Sequence, residues 1–416
     1  MSVAPVPSTT VSSGRGPSAA AGVGFTLVML HLVTIWGLAL SNILLGMALL
    51  WVAYRWRELD WSRVGAAWRQ PFGGVLKPLA VYLAAFAISV ASSYDPSSSS
   101  RSLSDLFSAA TLPLVVVLAA QVPQLRRLAD LLIAVGVGVA AIGLWQFVFA
   151  GYGSIDRRMP GPFSHYMTFS GVLLLALCLV LARLALPRRS TRARWVEWTC
   201  LAVLVATLVL TLTRSAWLGA LAAVVLGVAY RGWRRLAALF GLLTLASALI
   251  AAWAPGHWER VRSIADPTDI SNYDRLCMAQ AGLKMTSERP FFGIGPGMVA
   301  ERYPIYRHAT APRDHVKHLH STPVHTAAER GLVGFASYVW LMVAGLLLAL
   351  RQLRLGGEGS EVALGAALAI VAFNVAGLFE ANWRDTELQR WMLFLLAAPA
   401  CLELARGRVE PSAKTA

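Results

Sequence analysis

The sequence predicts an all-α polytopic membrane protein with about twelve transmembrane helices and one large, partly helical loop. Three observations predict it. The chain of 416 residues is 56% hydrophobic and only 14% charged, where a soluble domain carries about 25%. Its mean hydropathy is +0.57. Uncharged apolar stretches recur from end to end, and about 20 such residues span a bilayer as a helix. A transmembrane barrel would show short alternating segments instead.

Residues 1–23, rich in Ser, Pro, Gly and Ala, are expected to form a disordered cytoplasmic tail. Arg15 ahead of an apolar run mimics a signal peptide. The hydrophobicity continues to about Tyr54 without a cleavage site, so it reads as an uncleaved span. Twelve apolar segments follow: 24–39, 41–54, 78–93, 104–121, 128–149, 165–186, 195–212, 215–230, 236–253, 331–350, 361–379 and 388–404. The first nine occupy 24–253, and the last three occupy 331–404 ahead of a tail at 405–416. Basic residues collect in alternate gaps: Arg55, Arg57, Arg63, Arg69 and Lys77; Arg126 and Arg127; Arg183, Arg188, Arg189, Arg192 and Arg194; Arg231, Arg234 and Arg235; Arg351 and Arg354; Arg406 and Arg408. By the positive-inside rule these gaps, and both termini, are cytoplasmic. The net charge of +15 is then topogenic, and no nucleic-acid partner is expected. Cys178, Cys200, Cys277 and Cys401 are scattered and suggest neither a disulfide framework nor a zinc site.

One gap stands apart. Residues 254–330 form a loop of 77 residues with ten Lys+Arg, eight Asp+Glu and six of the eight histidines. A loop that long, with little low complexity, is expected to fold and to carry function on the outer, periplasmic side. Within it SNYDRLCMAQAGLKMTSERP reads as a helix ended by Pro290, with Leu276, Ala279 and Leu283 on one face. FFGIGPGM reads as a turn; no strand precedes its glycines, so a phosphate-loop reading is weak.

Titratable groups crowd the edge of the tenth segment in HLHSTPVHTAAERGLVGF, residues 318–335. Thr322 is expected to cap a helix with Pro323 at its first position. His325 and Glu329, four apart, share a face and should pair. His320 precedes the helix, where the helix dipole, Arg313 and Lys317 are expected to disfavour imidazolium, leaving a neutral general base. The competing readings are solvated loop histidines, or a metal bound by His315, His318, His320 and His325. Arg214, in VLTLTRSAWLGAL, is a charge among apolar residues at the turn between segments seven and eight. It either snorkels to the interface or presents its fork to a phosphate. Arg275 alone would be an ordinary surface arginine.

HSTPVHTAAERGLVG resembles the signature of bacterial O-antigen ligases: His320, Ser321 where asparagine is commoner, then Gly331 and Gly334. TRSAWLGA and RLCMAQAGLKMTSERPFFGIGPG are similar to two further stretches of the same superfamily, and the layout of twelve spans with one large periplasmic loop is alike. The resemblance implies a GT-C-like glycosyltransferase of the bacterial inner membrane. It implies His320 as the essential histidine and Arg214 and Arg275 as the arginines that engage a lipid-linked pyrophosphate. The implied donor is undecaprenyl-pyrophosphate-linked O-antigen, and the implied acceptor is a sugar hydroxyl of lipid A–core. Both are anchored among membrane lipids, and transfer would be inverting, with no metal and no cofactor. Arg157, Arg158, Asp385 and Glu387 lie on the same outer side and receive no chemical role. The same superfamily holds O-antigen polymerases and protein O-oligosaccharyltransferases. A lipid-linked sugar transporter is disfavoured by the lack of an internal repeat between the halves and by the one-sided placement of polar residues.

Overall fold

The computed structural model describes residues 18–71, 74–186, 190–230, 263, 266 and 269–407. Among these the chain is helical, without strands. The main helices are α1 (Ala19–Val33), α2 (Leu38–Tyr54), α3 (Ser62–Trp68), α4 (Leu76–Ala91), α5 (Pro96–Ser100), α6 (Asp105–Ala109), α7 (Thr111–Leu118), α8 (Val122–Phe149), α9 (Tyr166–Ala185), α10 (Thr191–Leu210) and α11 (Arg214–Ala229). After the undescribed stretch come α12 (Ile270–Glu288), α13 (Met298–Tyr306), α14 (Thr322–Leu355), α15 (Ser360–Gly377) and α16 (Thr386–Arg406). Seven of the described helical stretches are long and apolar enough to cross a membrane, with α5 to α7 running on as one, Pro96–Leu118. Four shorter apolar helices, α1, α2, α4 and α11, join them. The expected ninth segment, 236–253, lies outside the described residues, as do Arg231, Arg234, Arg235, Arg188, Arg189 and Arg408.

Boundaries move where local chemistry overrides hydropathy. Helix α1 already starts at Ala19, because Ser18 accepts a hydrogen bond from the Ala21 N–H and caps it. The first two segments part at residues 34–37, not at 40. Helix α14 starts at Thr322 rather than 331, with Ser321 as its cap and Pro323 in its first turn. The last part of the expected loop is therefore helix.

Helices α9, α15 and α16 form the buried centre, while α8 and α10 turn most of their surface outward. Leu50, Trp145, Phe149 and Trp195 are exposed, the reverse of soluble packing and the pattern of lipid-facing helices. Polar groups stitch the interior. Buried Arg390 donates from α16 to Ser108, Ser41 and Asn42, and buried Arg63 donates to the Val116 and Ala119 carbonyls.

The loop has its own core, built from Met278, Met285, Ile294, Met298, Tyr303 and Leu319 among others. The face expected for α12 is corrected. Asp274, Cys277, Met278, Ala281, Gly282 and Met285 are buried, while Leu276 and Leu283 are exposed. Gly282 decides this, because it lets α12 approach Leu319 and Val324 where a Cβ would fall 2.4 Å from Val324. Counting apolar residues could not reveal that the small residues mark the contact.

Candidate functional site

The loop docks onto α14 through a break in that helix. Gly331 takes φ +66° in mid-helix. At such a kink the carbonyls of 328 and 329 and the amides of 332 and 333 lose their helical partners. The FFGIGPGM stretch supplies replacements. Ile294 N–H donates to the Ala328 carbonyl and Gly295 N–H to the Glu329 carbonyl, while the Leu332 and Val333 amides donate to the Pro290 and Phe291 carbonyls. The side chain of Glu329 accepts from Gly297 N–H at 2.9 Å and lies 3.3 Å from His325 Nε2, the expected pair. The glycine turn is thus a structural clamp that fixes the stretch bearing His320.

His320 sits just before α14 with φ +47°. A non-glycine residue there is strained, and such strain gathers at functional sites. The only other such residue among those described is Leu212 at φ +55°, two residues before Arg214. His320 Nδ1 lies 3.2 Å from Glu380 Oε2, and His318 Nδ1 lies 3.9 Å from the other oxygen. Glu380 is held in place because its carbonyl accepts from the Thr322 N–H and hydroxyl. Burial pushes the Glu380 carboxyl up, but the His320 hydrogen bond and the charges of His320, His318 and Arg275 outweigh it and hold it below the usual carboxylate range. An ionised Glu380 can only accept, so His320 Nδ1 donates to it and Nε2 is the ring nitrogen left to act as a base.

The electrostatic setting therefore differs from the sequence expectation. The nearest charge to His320 is a carboxylate, not the cations Arg313 and Lys317. Arg313 is paired with Asp274 at 3.1 Å. Burial and the neighbouring His320 push His318 down to about 3, and burial also lowers His165, the cap of α9.

Arg214 opens α11 and does not snorkel: it is 5% exposed. It donates to Ser263 at 2.7 and 2.9 Å and to Asp269 and Ser271 at 3.3 Å. Arg275, on α12, is half-buried and makes no ion pair or hydrogen bond among the described residues. Burial lowers it, Glu380 raises it and Arg214 lowers it further, so all three charges share one neighbourhood. Beside them runs a crevice of about 190 Å³ lined by His165, Thr168, His318, Glu380, Arg384 and Asp385 among others. Asp385 accepts from Thr168. Burial and Glu387 raise its carboxyl well above the ordinary range. Arg157 and Arg158 stack on Tyr152 and Tyr166 at the crevice rim.

Sequence reasoning missed Glu380. Its signal was an acid at the edge of the eleventh apolar segment, in GLFEANW, the same kind of position as His320 at the edge of the tenth. His318, His320 and Glu380 each bring one possible ligand atom within 4.8 Å of the others. They are the described residues that could hold a metal; His315 is exposed and His325 pairs with Glu329. Chemically, the arrangement offers a base with a fixed tautomer beside cationic groups suited to an anionic leaving group.

Residues 199–339, which include Arg214, Arg275 and His320, match the family model described as O-Antigen ligase. Over these residues the chain is similar to the O-antigen ligase/polymerase superfamily, whose members are membrane glycosyl-transferring enzymes. No curated protein matches the chain.

Proposed function

From a chain that carries an O-antigen ligase match across residues 199–339, we propose a ligase that transfers polysaccharide from undecaprenyl pyrophosphate to a sugar hydroxyl of lipid A–core. The supporting observation is the His320–Glu380 pair, 3.2 Å apart, with Arg275 acting on the same carboxylate.

In this mechanism the acceptor hydroxyl attacks the anomeric carbon of the donor sugar. Its proton passes to His320 Nε2 as the new C–O bond forms. The bond to the pyrophosphate oxygen breaks on the opposite face, which inverts the anomeric centre. Glu380 holds the tautomer and stabilises the imidazolium that results. Arg275, without an ion pair or hydrogen bond among the described residues, meets the pyrophosphate first. Arg214 exchanges Ser263 and Asp269 for phosphate oxygens, a bidentate fit that a lysine cannot give. The arginines neutralise the leaving group, so the reaction needs no metal and no cofactor. The site faces the periplasm from the bacterial inner membrane, with both termini cytoplasmic.

The test is purified protein in nanodiscs with lipid-linked glycan and lipid A–core, in the presence of a chelator. Ladder-shifted lipopolysaccharide is expected. Elongation of the lipid-linked glycan without attachment to core would instead identify a polymerase, and loss of transfer on chelation would return the His318–His320–Glu380 triad to a metal-binding role. His320→Ala should lose about 10²- to 10⁴-fold in rate, the usual worth of a general base, while still inserting in the membrane.

A further inference from the structure

Four arginines are buried among the described residues, and three have acceptors. Arg63 and Arg390 donate to carbonyls and side-chain oxygens, and Arg214 to serines and Asp269. Arg330 differs. It is 6% exposed, its Nε is buried without a partner, and it makes no hydrogen bond or ion pair among the described residues. Its flat face rests on Phe86 at 4.6 Å and Tyr82 at 5.2 Å. That contact stabilises the cation but leaves the N–H edges unused. A buried donor without an acceptor costs free energy, and more so when it is charged.

Arg330 sits one residue before the Gly331 kink and lines two crevices. One also has Thr322, His325, Thr326 and Arg384 in its wall. The other, toward α6, contains Asp105 and Gln389. Arg384 in turn lines the larger crevice with Glu380 and His318. That crevice shares Glu380 and Met167 with a further one reaching Ser215, the neighbour of Arg214. Shared wall residues therefore order these spaces: Ser215 at one end, Glu380 in the middle, Arg384 and then Arg330 at the other. Arg384 also lacks an ion pair; its only hydrogen bond among the described residues goes to the Lys317 carbonyl at 3.3 Å.

We propose that Arg330 and Arg384 form a subsite for an oxyanion carried on the acceptor sugar, a phosphate or a carboxylate, at the opposite end of the crevice from Arg214 and Arg275. This rests on the transferase reading above. A pyrophosphate at Arg214 and Arg275 places the donor in the Ser215 arm, and the base in the middle must face the incoming hydroxyl. The acceptor then fills the remaining arm, where two guanidinium groups without an ion pair among the described residues select a negative group. Arg330 is the last residue before the kink at Gly331.

The test measures initial rates of full-length protein in nanodiscs, with undecaprenyl-pyrophosphate-linked glycan and lipid A–core. Arg330→Gln and Arg384→Gln should each raise the KM for lipid A–core about tenfold or more, the worth of one charge-assisted contact, while the donor KM stays nearly constant. Wild-type protein should show the same loss with acceptor stripped of phosphate, or with acceptor whose carboxyls are amidated; whichever treatment reproduces it names the anion. Wild-type KM unchanged by both treatments overturns the subsite. So does Asp105→Asn copying the Arg330→Gln defect, because Arg330 would then serve a structural pair. If Arg330→Gln does not fold, exposed Arg384 and the treated acceptors decide. Failure of wild-type protein to glycosylate any lipid A–core would instead remove the transferase reading itself.

Discussion

At the scale of single residues, the site depends on how one carboxylate handles two imidazoles. Glu380 accepts from His320 and lies close to His318, so it acts as a positioning residue that fixes which ring nitrogen is basic. Glu380→Gln should therefore cut kcat by about 10²-fold or more, change the donor KM far less, and shift the acid limb of the pH–rate profile. Glu380→Asp should recover part of the loss; a purely structural role would move none of these together. His318 gives a second prediction, for stability. Its folded-state value of about 3 lies below the ordinary histidine value of about 6.5. Between those values the unfolded chain binds the extra proton and the folded chain does not, so stability rises with pH across that window. Wild-type thermal midpoints should fall as pH drops from 6.5 toward 4, and His318→Asn should flatten that slope. Glu380 acts in the same direction, in the carboxylate range. Its lowered value makes its contribution complete above the ordinary carboxylate range and lost only as pH falls below it. His320 and Arg214 stood out because their residue types are anomalous beside apolar runs, whereas Arg275 was named only through the resemblance. Glu380 and Arg330 were not legible, since an isolated acid or arginine at a helix edge has no distinguishing local pattern until its spatial neighbours are known.

At the scale of elements, the kink in α14 is the joint that converts a membrane helix into a support for the site. Four backbone hydrogen bonds pass from the helix to the 290–295 stretch, and both partners need glycine. A Cβ on Gly331 would fall 2.2 Å from the Phe291 carbonyl oxygen, and one on Gly293 would fall 2.4 Å from the Glu329 backbone. Both residues also have positive φ. Gly331→Ala should thus destabilise the protein by at least about 2 kcal/mol, from strain added to the clash. Faster proteolysis within residues 290–297 and a lower thermal midpoint would register it. Gly138, in α8 with nothing within 4 Å of an added Cβ, is the control, and Gly138→Ala should change little. The sequence marked Gly331 and Gly334 as part of a signature and the 293–297 glycines as a turn. It did not show that the two stretches answer each other's orphaned backbone groups, because that exchange joins segments more than thirty residues apart. The α12 face was misread for a related reason: in a loop helix packed against a membrane helix, small residues make the contact and large ones stay outside.

At the scale of the whole molecule, hydropathy made the all-helical, membrane-spanning class legible because lipid demands it. A spanning segment must satisfy its backbone internally and keep apolar side chains outward, so spans are written locally, one after another. What hydropathy cannot write is which spans surround the crevice. His320, Glu380, Arg214 and Arg275 come from α14, α15, α11 and α12 or their edges, and only tertiary packing of α9, α15 and α16 at the centre brings those edges to one end. The basic gaps predict the orientation of that end, and the prediction is open to direct measurement. His315 is exposed in the loop and Ser62 is exposed in the basic gap after α2. In a Cys200→Ser background, with the other three cysteines buried, His315→Cys should react with a membrane-impermeant maleimide added to intact spheroplasts. Ser62→Cys should react only after permeabilisation. The reverse pattern would turn the crevice toward the cytosol, away from any lipid A–core presented at the outer leaflet, and a ligase would then be the wrong enzyme for this site.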